Sequence, residues 1–351
     1  MMIQKFEVTK KDLEYTLRLH GIEGEDAFYL ITFLYCNQLN SIPLRDKTIF
    51  EKTKKSHHKI SSDQHLTNLF VKLINEDPQG NNIPIWYQHF LGRKFREDSG
   101  KFFTPRPIAK AMASLFPIRP GAIIMDPACG SATFLQEISK KWGNLPCTLI
   151  ANDVETSLVH LSHIVLELST PKNHEKIFNN SNIFEPNQSF EKWYDKIDYV
   201  IANPPFSLPI KSIKIPTKLY SMGYKNSDAV FLDVCYNLLK PGGRLVTLLP
   251  HSIISNKEYK KLRETVEKSW SLLGVIELPE HTFNLTSNTT TRADIVILEK
   301  KNDKKQKKSF FAYMPEIGIP KKKNGNETAM DKLASLVNNT DIQKILKIKK
   351  S

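Results

Sequence analysis

Apolar residues recur with two different spacings along the chain. Between residues 11 and 95 they recur at helical intervals, as in GEDAFYLITFLYCNQL and DQHLTNLFVKLI, and polar stretches around 40–62 and 75–84 interrupt them. From about residue 122 onward, short apolar runs alternate with amphipathic segments. The pattern predicts a group of helices followed by a region in which strands and helices alternate.

The short apolar runs are typical of strands that are buried on both faces. They follow one another in the order AIIM, CTLIA, YVIA, RLVTLL, LGVIEL and ADIVIL. Because helices cover both faces of a parallel sheet, its strands read as continuous apolar runs. The second part of the chain is therefore predicted to be α/β, with a mostly parallel sheet.

The strand predicted at residues 199–202 ends in an unusual turn, NPPF. Pro204 lacks an N–H group for a ladder hydrogen bond, so the sheet must stop at Asn203. Asn-Pro is a common turn opener in any α/β protein. That interpretation gives no reason for an aromatic side chain, Phe206, on an exposed turn.

A second turn, DPACGSATF, leads from a predicted strand into a helix through small residues. Such a turn lets a ligand approach backbone N–H groups at a helix N-terminus, although many α/β proteins bind nothing there. The next predicted strand ends on Asp153, about 20 residues later, the spacing at which an acidic side chain accepts hydrogen bonds from a ribose diol. The two features together predict a cofactor that contains a nucleoside.

The glycine pattern separates the nucleotide-type cofactors. DPACGSATF matches neither GxGxxG, which serves a dinucleotide pyrophosphate, nor GxxxxGK[ST], which serves the phosphates of ATP. S-adenosyl-L-methionine carries no phosphate. It needs room for adenosine, an acceptor for the ribose and a place for methionine, and the turn with Asp153 predicts this cofactor.

Composition sets broad limits. The 351 residues, 40% of them hydrophobic, suffice for one large or two modest folded domains. The longest apolar stretch, residues 27–36, is too short to span a bilayer, and the N-terminus lacks the order of a signal peptide, so we expect a cytoplasmic protein with no membrane partner. The four cysteines form no CxxC pair, so neither a zinc site nor a disulfide framework is predicted.

The net charge indicates a partner. The 50 Lys and Arg residues exceed the 37 Asp and Glu residues, which gives a net charge of +13 and favours a polyanion. Residues 301–351 hold 13 Lys and 5 acids, a net charge of +8, and leave +5 for the first 300 residues. A solvated tail explains such a lysine-rich stretch as well as a binding surface does.

Six segments follow one another in the second part of the chain. They are GKFFTPRPIAKAM (100–112), DPACGSATF (126–134), ANDVE (151–155), NPPF (203–206), SDAVFLDVCYNLLKPGGRLVTLLP (227–250) and GVIELPEHTF (274–283). In this order they resemble the N6-adenine DNA methyltransferases, close to the modification subunit of type I restriction-modification systems. The ordered set is far more specific than any one segment. FFAYMPEIGIPKKKN (310–324) also resembles the segment after the catalytic domain in these subunits.

The resemblance implies a fold and a division of the chain. The family fold is a Rossmann-like sheet of seven strands with helices on both faces, in which ADIVIL suits the antiparallel last strand. With the apolar pattern and the charge, we expect a helical N-terminal domain at 1–95, an S-adenosylmethionine-dependent methyltransferase domain at 96–300 and a basic C-terminal extension at 301–351.

The resemblance assigns NPPF, which is Asn203, Pro204, Pro205 and Phe206, to a flipped-out adenine. The side-chain oxygen of Asn203 and the Pro204 carbonyl would accept hydrogen bonds from the exocyclic amine, and Phe206 would stack on the ring. The amine lone pair is delocalised into the ring, and two acceptors placed on its hydrogens favour the pyramidal form that attacks a methyl group. A rigid turn fixes both acceptors.

The resemblance also implies a set of cofactor contacts. The loop over the methionine part would comprise Phe102, Phe103 and Thr104. The amino-acid part of the cofactor would be contacted by side-chain and backbone groups of Asp126, Ala128, Gly130 and Ser131. Asp153 would take the ribose. Two plainer interpretations stay open, since Phe103 also suits a core aromatic and Asp126 also suits a cap on the following turn.

The sequence departs from the family pattern at two of these places. Asn182, in NNSNIFEP, stands where an Asp usually contacts the cofactor adenine, and its amide oxygen still accepts from an amine, so we expect retained binding. Ala132 stands where the family often has Gly. Alanine is small enough there unless the position requires a positive φ.

The resemblance predicts transfer of a methyl group from S-adenosylmethionine to the N6 amine of adenine in DNA. About 50 residues follow Glu299, too few for the large DNA-reading domain of a self-sufficient enzyme. We therefore expect the site to be read by a separate specificity subunit, with a restriction subunit as a further partner. The N-terminal helices and the C-terminal extension are candidate contact surfaces, although they also suit an ordinary lid and tail.

Two alternatives belong to other classes. A related NPPF site modifies glutamine amides in proteins or bases in RNA, because the same acceptor pair serves any planar amine. The FFTPR segment and the long helical N-terminus favour DNA over these substrates. The other alternative is a catalytically silent subunit that binds only DNA or a partner, and the intact NPPF motif and Asp153 argue against it.

Overall fold

The computed structural model describes residues 2–38, 47–87, 89–90, 104–215, 217–280, 282, 292–302, 308–314, 333 and 335–348. The chain divides into two compact units. Residues 1–101 together with 160–169 form the first unit, and residues 102–159 together with 170–351 form the second. The domain boundaries expected after residues 95 and 300 stay predictions.

The described residues of the first unit between 2 and 38 and between 47 and 76 are mainly helical, which confirms the helical pattern in the sequence. Its helices are α1 (Met2–Leu19), α2 (Gly24–Gln38), α3 (Lys47–Ile60) and α4 (Gln64–Glu76). Asp63 caps α4 by accepting a hydrogen bond from the Leu66 amide at 2.9 Å. One stripe of α4 is buried at the helical period, formed by Leu66, Leu69, Phe70, Leu73 and Ile74. Within the described ranges, no helix is both long and apolar enough to cross a bilayer.

The second unit is built on one sheet. Its strands are β1 (Ala122–Asp126), β2 (Cys147–Asp153), β3 (His174–Asn180), β4 (Ile197–Ala202), β5 (Leu239–Pro250), β6 (Trp270–Glu277), β7 (Ala293–Lys300) and β8 (Phe310–Tyr313). In space their order is β3-β2-β1-β4-β5-β7-β6-β8. β3, β2, β1, β4 and β5 pair in parallel, and β7 is antiparallel to both β5 and β6. The predicted Rossmann-like sheet with ADIVIL as its antiparallel strand is confirmed.

Among the described residues the sheet has eight strands, one more than the seven predicted. β8 lies at the edge and pairs in parallel with β6, from Gly274 opposite Phe310 to Glu277 opposite Tyr313. A Cβ at residue 274 would lie 2.3 Å from the ring of Phe310, so any other residue there would have to displace that ring. β8 has four residues and follows a lysine-rich stretch, and for that reason its sequence resembles a tail.

The other described helices lie before, between and after these strands, and residues 160–169 of the helix at Thr156–Ser169 belong to the first unit. These helices are α5 (Arg106–Ser114), α6 (Thr133–Trp142), α7 (Thr156–Ser169), α8 (Gln188–Glu191), α9 (Lys218–Ser221), α10 (Ser227–Leu238), α11 (His251–Ser255), α12 (Lys260–Ser269) and α13 (Thr340–Ile345). All six residues of β4 are buried, as its apolar run predicts. Val200 of β4, Leu245 of β5 and Phe231 of α10 belong to one core cluster, which fixes α10 against the centre of the sheet.

Candidate active site

Three polar residues of the predicted site lie at the carboxyl ends of neighbouring strands. Asp126 ends β1, Asp153 ends β2, and Asn203 directly follows β4. β1 pairs in parallel with both β2 and β4, so the carboxyl ends of these strands meet. The strand order reverses between β1 and β4, and ligands of open α/β sheets bind in the crevice at such a point.

Asp126 is fully buried in the turn after β1. Its Oδ1 accepts a hydrogen bond from the Ala128 amide at 3.1 Å, whereas Oδ2 is buried with no hydrogen-bond partner among the described residues. Burial raises the pKa of Asp126 well above its usual value, the Ala128 hydrogen bond lowers it, and the Asp153 charge raises it further. A cation next to Oδ2 would supply the missing partner, and the ammonium group of a methionine moiety has that chemistry.

Asp153 connects the turn after β1 to the end of β2. Its Oδ2 accepts from the Gly130 amide at 3.0 Å, and its Oδ1 accepts from the Glu155 amide at 3.0 Å. Gly130 has φ +51°, a conformation that glycine adopts without steric cost. The arrangement is compatible with the ribose role that the resemblance assigns to Asp153.

Ala132 adopts a left-handed backbone conformation. It is buried at the N-cap of α6 with φ +57°, and the adjacent Ser131 Oγ lies 3.0 Å from Thr133 Oγ1. Alanine was expected to fit at this position unless the backbone there has a positive φ, and the structure shows that it does. A residue with a Cβ costs about 1–2 kcal/mol in this conformation.

The amide of Asn203 is oriented by a residue distant in sequence. Its Nδ2 donates a hydrogen bond to Oγ1 of the buried Thr104 at 3.1 Å, across 99 positions of the chain. The nitrogen of the amide therefore faces Thr104. The resemblance assigned Thr104 to the cofactor loop, and the structure gives its hydroxyl a contact with the NPPF turn.

The first residues of α10 hold the rest of the NPPF turn. Ser227 Oγ donates to the Pro205 carbonyl at 2.6 Å, and Asp228 Oδ2 accepts from the Ser207 amide at 2.9 Å. Pro204 is buried, while Pro205 and Phe206 are half-buried. The sequence alone indicated no role for Ser227 or Asp228, because short polar residues before an apolar run are the ordinary signature of a helix start.

Asn182 lies beyond the carboxyl end of β3, which pairs with β2 and places Asn180 opposite Asp153. It is exposed, and its Oδ1 accepts from the Phe184 amide at 3.0 Å. The amide oxygen that was expected to receive the cofactor adenine therefore also stabilises a local turn. Phe102 and Phe103 lie outside the described residues.

Comparisons with known proteins agree with this geometry. The model of the N-6 DNA Methylase family matches residues 86–348. The methylase subunit of the type I restriction enzyme MjaVIII from Methanocaldococcus jannaschii is 27% identical over 267 residues, which cover 70% of this chain and 44% of that protein. This chain spans less than half the length of the first curated relatives that it matches.

Two solved structures show the same fold. The type I restriction-modification system methyltransferase subunit from Streptococcus thermophilus aligns with a TM-score of 0.60 and 21% identity, over 87% of this chain and 67% of that one. A Listeria monocytogenes protein described as a class I S-adenosylmethionine-dependent methyltransferase aligns with a TM-score of 0.57 and 17% identity, over 90% of this chain and 98% of that one. Because the family model covers most of the sequence, the chain belongs to the N-6 DNA methylase family.

Proposed function

We propose that this chain transfers the methyl group of S-adenosylmethionine to the N6 amine of adenine in DNA. The observation that carries the proposal is the hydrogen bond from Asn203 Nδ2 to Thr104 Oγ1. Because the amide nitrogen binds Thr104, we assign Oδ1 together with the Pro204 carbonyl as the acceptor pair for the amine. Membership of the N-6 DNA methylase family supports the same reaction.

The residues of the turn have separate roles in this reaction. Asn203 Oδ1 and the Pro204 carbonyl accept the two hydrogens of the exocyclic amine, which localises the nitrogen lone pair. The half-buried Phe206 stacks on the flipped base and holds it in register. The new N–C bond would form as the bond between the methyl carbon and the sulfonium sulfur breaks, and the proton lost by the amine would pass to solvent. Positioning and electrostatics then account for the rate without a separate nucleophile.

S-adenosylmethionine supplies an electrophilic methyl group on a sulfonium when it is bound. We assign its ammonium group to Oδ2 of Asp126, which has no partner within the described part of the chain, and its ribose to Asp153. Gly130 and Ser131 belong to the turn of small residues between Asp126 and Asp153 in the sequence, and we assign them to the same cofactor. Asn182, together with Phe102 and Phe103 from the sequence pattern, completes the proposed contacts to the adenine and methionine ends.

DNA and protein partners are also part of the proposal. The net charge of +13 suits a polyanionic substrate. The Methanocaldococcus relative is named as a methylase subunit of a restriction enzyme, and we infer that this chain likewise acts with a specificity subunit and a restriction subunit.

The test is Asn203→Ala in a complex with a specificity protein from the same genome. We expect methylation of plasmid DNA, measured by single-molecule sequencing, to be lost while S-adenosylmethionine binding, measured by calorimetry, is retained. Asn144→Ala is the control and should keep wild-type activity, because Asn144 is exposed and lies before β2, at the end of that strand opposite Asp153. Near-normal turnover of Asn203→Ala would refute the proposal, and methylation of a release factor or ribosomal RNA instead of DNA would redirect it.

A further inference from the structure

Ser227, the first residue of α10, closes the turn that follows β4. It is fully buried, and its Oγ donates to the Pro205 carbonyl at 2.6 Å and accepts from the Leu208 amide at 3.1 Å. The Ser227 amide also donates to the Leu208 carbonyl at 2.8 Å. One hydroxyl has one hydrogen and two lone pairs, so a single side chain satisfies both ends of the turn.

Asp228, the second residue of α10, binds the middle of the same turn. It is 2% exposed, and its Oδ2 accepts from the Ser207 amide at 2.9 Å and from the Ser207 hydroxyl at 3.4 Å. Ser207 has φ +55°, in the left-handed region that is unfavourable for a residue with a Cβ. The carboxylate therefore stabilises a backbone conformation that serine rarely adopts alone.

These contacts are not needed to start the helix. The side chain of Asn226 caps α10 by accepting from the Ala229 amide. Pro204 and Pro205 have no N–H group, so two residues of the turn cannot donate hydrogen bonds to close it. The side chains of Ser227 and Asp228 provide that closure from outside the turn.

We propose that Ser227 and Asp228 are positioning residues for methyl transfer, which hold Asn203 and the Pro204 carbonyl where they meet the target amine. The inference rests on the proposed function. Neither side chain contacts the base or the cofactor in this scheme. They act through the backbone of residues 205–208, and a small displacement of that backbone moves the acceptor pair and the Phe206 ring together.

The experiment compares Ser227→Ala, Asp228→Ala and Asp228→Asn in the complex with the specificity protein. Asp228→Asn keeps an oxygen that accepts from the Ser207 amide. The matched control is Ser139→Ala, because Ser139 is equally buried and its Oγ lies 2.9 Å from His174 Nδ1, away from the turn. The readouts are kcat, the Kd for S-adenosylmethionine, the Tm and hydrogen exchange at the Ser207 and Leu208 amides.

We expect Ser227→Ala and Asp228→Ala to lower kcat about 10- to 100-fold with an unchanged Kd for S-adenosylmethionine. The Leu208 amide in the first variant and the Ser207 amide in the second should exchange about tenfold faster. Asp228→Asn should restore most of kcat. Ser139→Ala should lower the Tm and leave kcat unchanged.

Wild-type kcat in both alanine variants would overturn the proposal, as would a loss of kcat in Ser139→Ala as large as theirs. Unchanged exchange at both amides would also overturn it. If Ser227→Ala does not fold, the comparison of kcat between Asp228→Ala and Asp228→Asn decides. Equal kcat values in these two variants would then overturn the proposal. A wild-type complex that methylates no DNA would refute the proposed function instead, while the exchange measurement still decides whether the two residues hold the turn.

Discussion

The turn after β4 and the turn after β1 both lie at the carboxyl ends of the parallel strands. Different groups fix the conformation of each turn. The β4 turn, which contains Asn203, is fixed by side chains from other elements, chiefly Thr104 and Ser227. The β1 turn is fixed by its own backbone, with positive φ at Gly130 and Ala132, and by the carboxylate that ends the neighbouring strand.

The difference fits the ligand that we propose for each turn. A rigid turn with prolines presents acceptors, but it has few N–H groups of its own, so distant side chains must complete it. A turn of small residues presents N–H groups to a cofactor, and its shape comes from φ values that glycine adopts freely. Substitutions on the target side should therefore act on kcat, whereas those on the cofactor side should act on cofactor binding or on stability.

The largest effect is expected from Thr104→Val, which has almost the same shape and lacks the hydroxyl that accepts from Asn203 Nδ2. The amide loses its orientation, and kcat should fall about 100-fold. The Kd for S-adenosylmethionine, measured by calorimetry, should stay unchanged. Thr104→Ser keeps the hydroxyl and should retain most of kcat. A weaker Kd with normal kcat would assign Thr104 to the cofactor side, as the family resemblance does.

On the cofactor side, Asp153→Ala should weaken S-adenosylmethionine binding by about 1–3 kcal/mol, the size of a lost hydrogen bond to a charged group. The variant also removes the acceptor for the Gly130 amide. Asp153→Asn keeps one acceptor oxygen and should lose less affinity in the same titration. An unchanged Kd in both variants would place the ribose elsewhere.

The sequence indicated the features of the site that depend on neighbours in the chain. The apolar run at 199–202 followed by Pro204 predicted where β4 ends, and the separation of Gly130 from Asp153 predicted two adjacent turns. The hydrogen bond between Thr104 and Asn203 spans 99 positions, and no local pattern indicates it. A contact of this kind forms only when the fold brings distant segments of the chain together.

The fold shows the same limit. β3 (His174–Asn180) alternates poorly and is only partly buried, so the apolar pattern did not reveal it. β8 was overlooked because lysines surround its four residues. Both strands lie at the two edges of the sheet, where one side lacks a neighbouring strand and the apolar signal is weakest.

The target-side turn is also expected to respond to pH through Asp228. Burial raises the pKa of Asp228 from its usual 3.8 to about 6, while hydrogen bonds from Ser207 lower it. Between these values the folded state binds more protons than the unfolded state, so the free energy of unfolding falls as pH rises from about 4 to about 6.5, by about 2 kcal/mol. The free energy of unfolding of Asp228→Asn, measured by urea unfolding, should not show this fall as the pH rises from about 4 to about 6.5. Parallel profiles for wild type and variant would contradict the assignment.

The smallest effect is expected at Ala132. Replacement by glycine relieves about 1–2 kcal/mol of left-handed strain, but it loses the burial of one methyl group, about 0.8 kcal/mol, and adds freedom to the unfolded chain, about 0.4–1 kcal/mol. These opposing effects predict a change in the free energy of unfolding of less than about 0.5 kcal/mol.

Ala111 provides the matched control for that substitution, because it is equally apolar, 3% exposed and inside the regular helix α5. Ala111→Gly relieves no strain and should cost about 1–2 kcal/mol, from helix propensity and the lost methyl together. The difference between the two variants in urea unfolding measures the strain at Ala132. Equal destabilisation of both would mean that the backbone at Ala132 is unstrained, and the contrast between a turn held by its backbone and a turn held by distant side chains would then lose its support on the cofactor side.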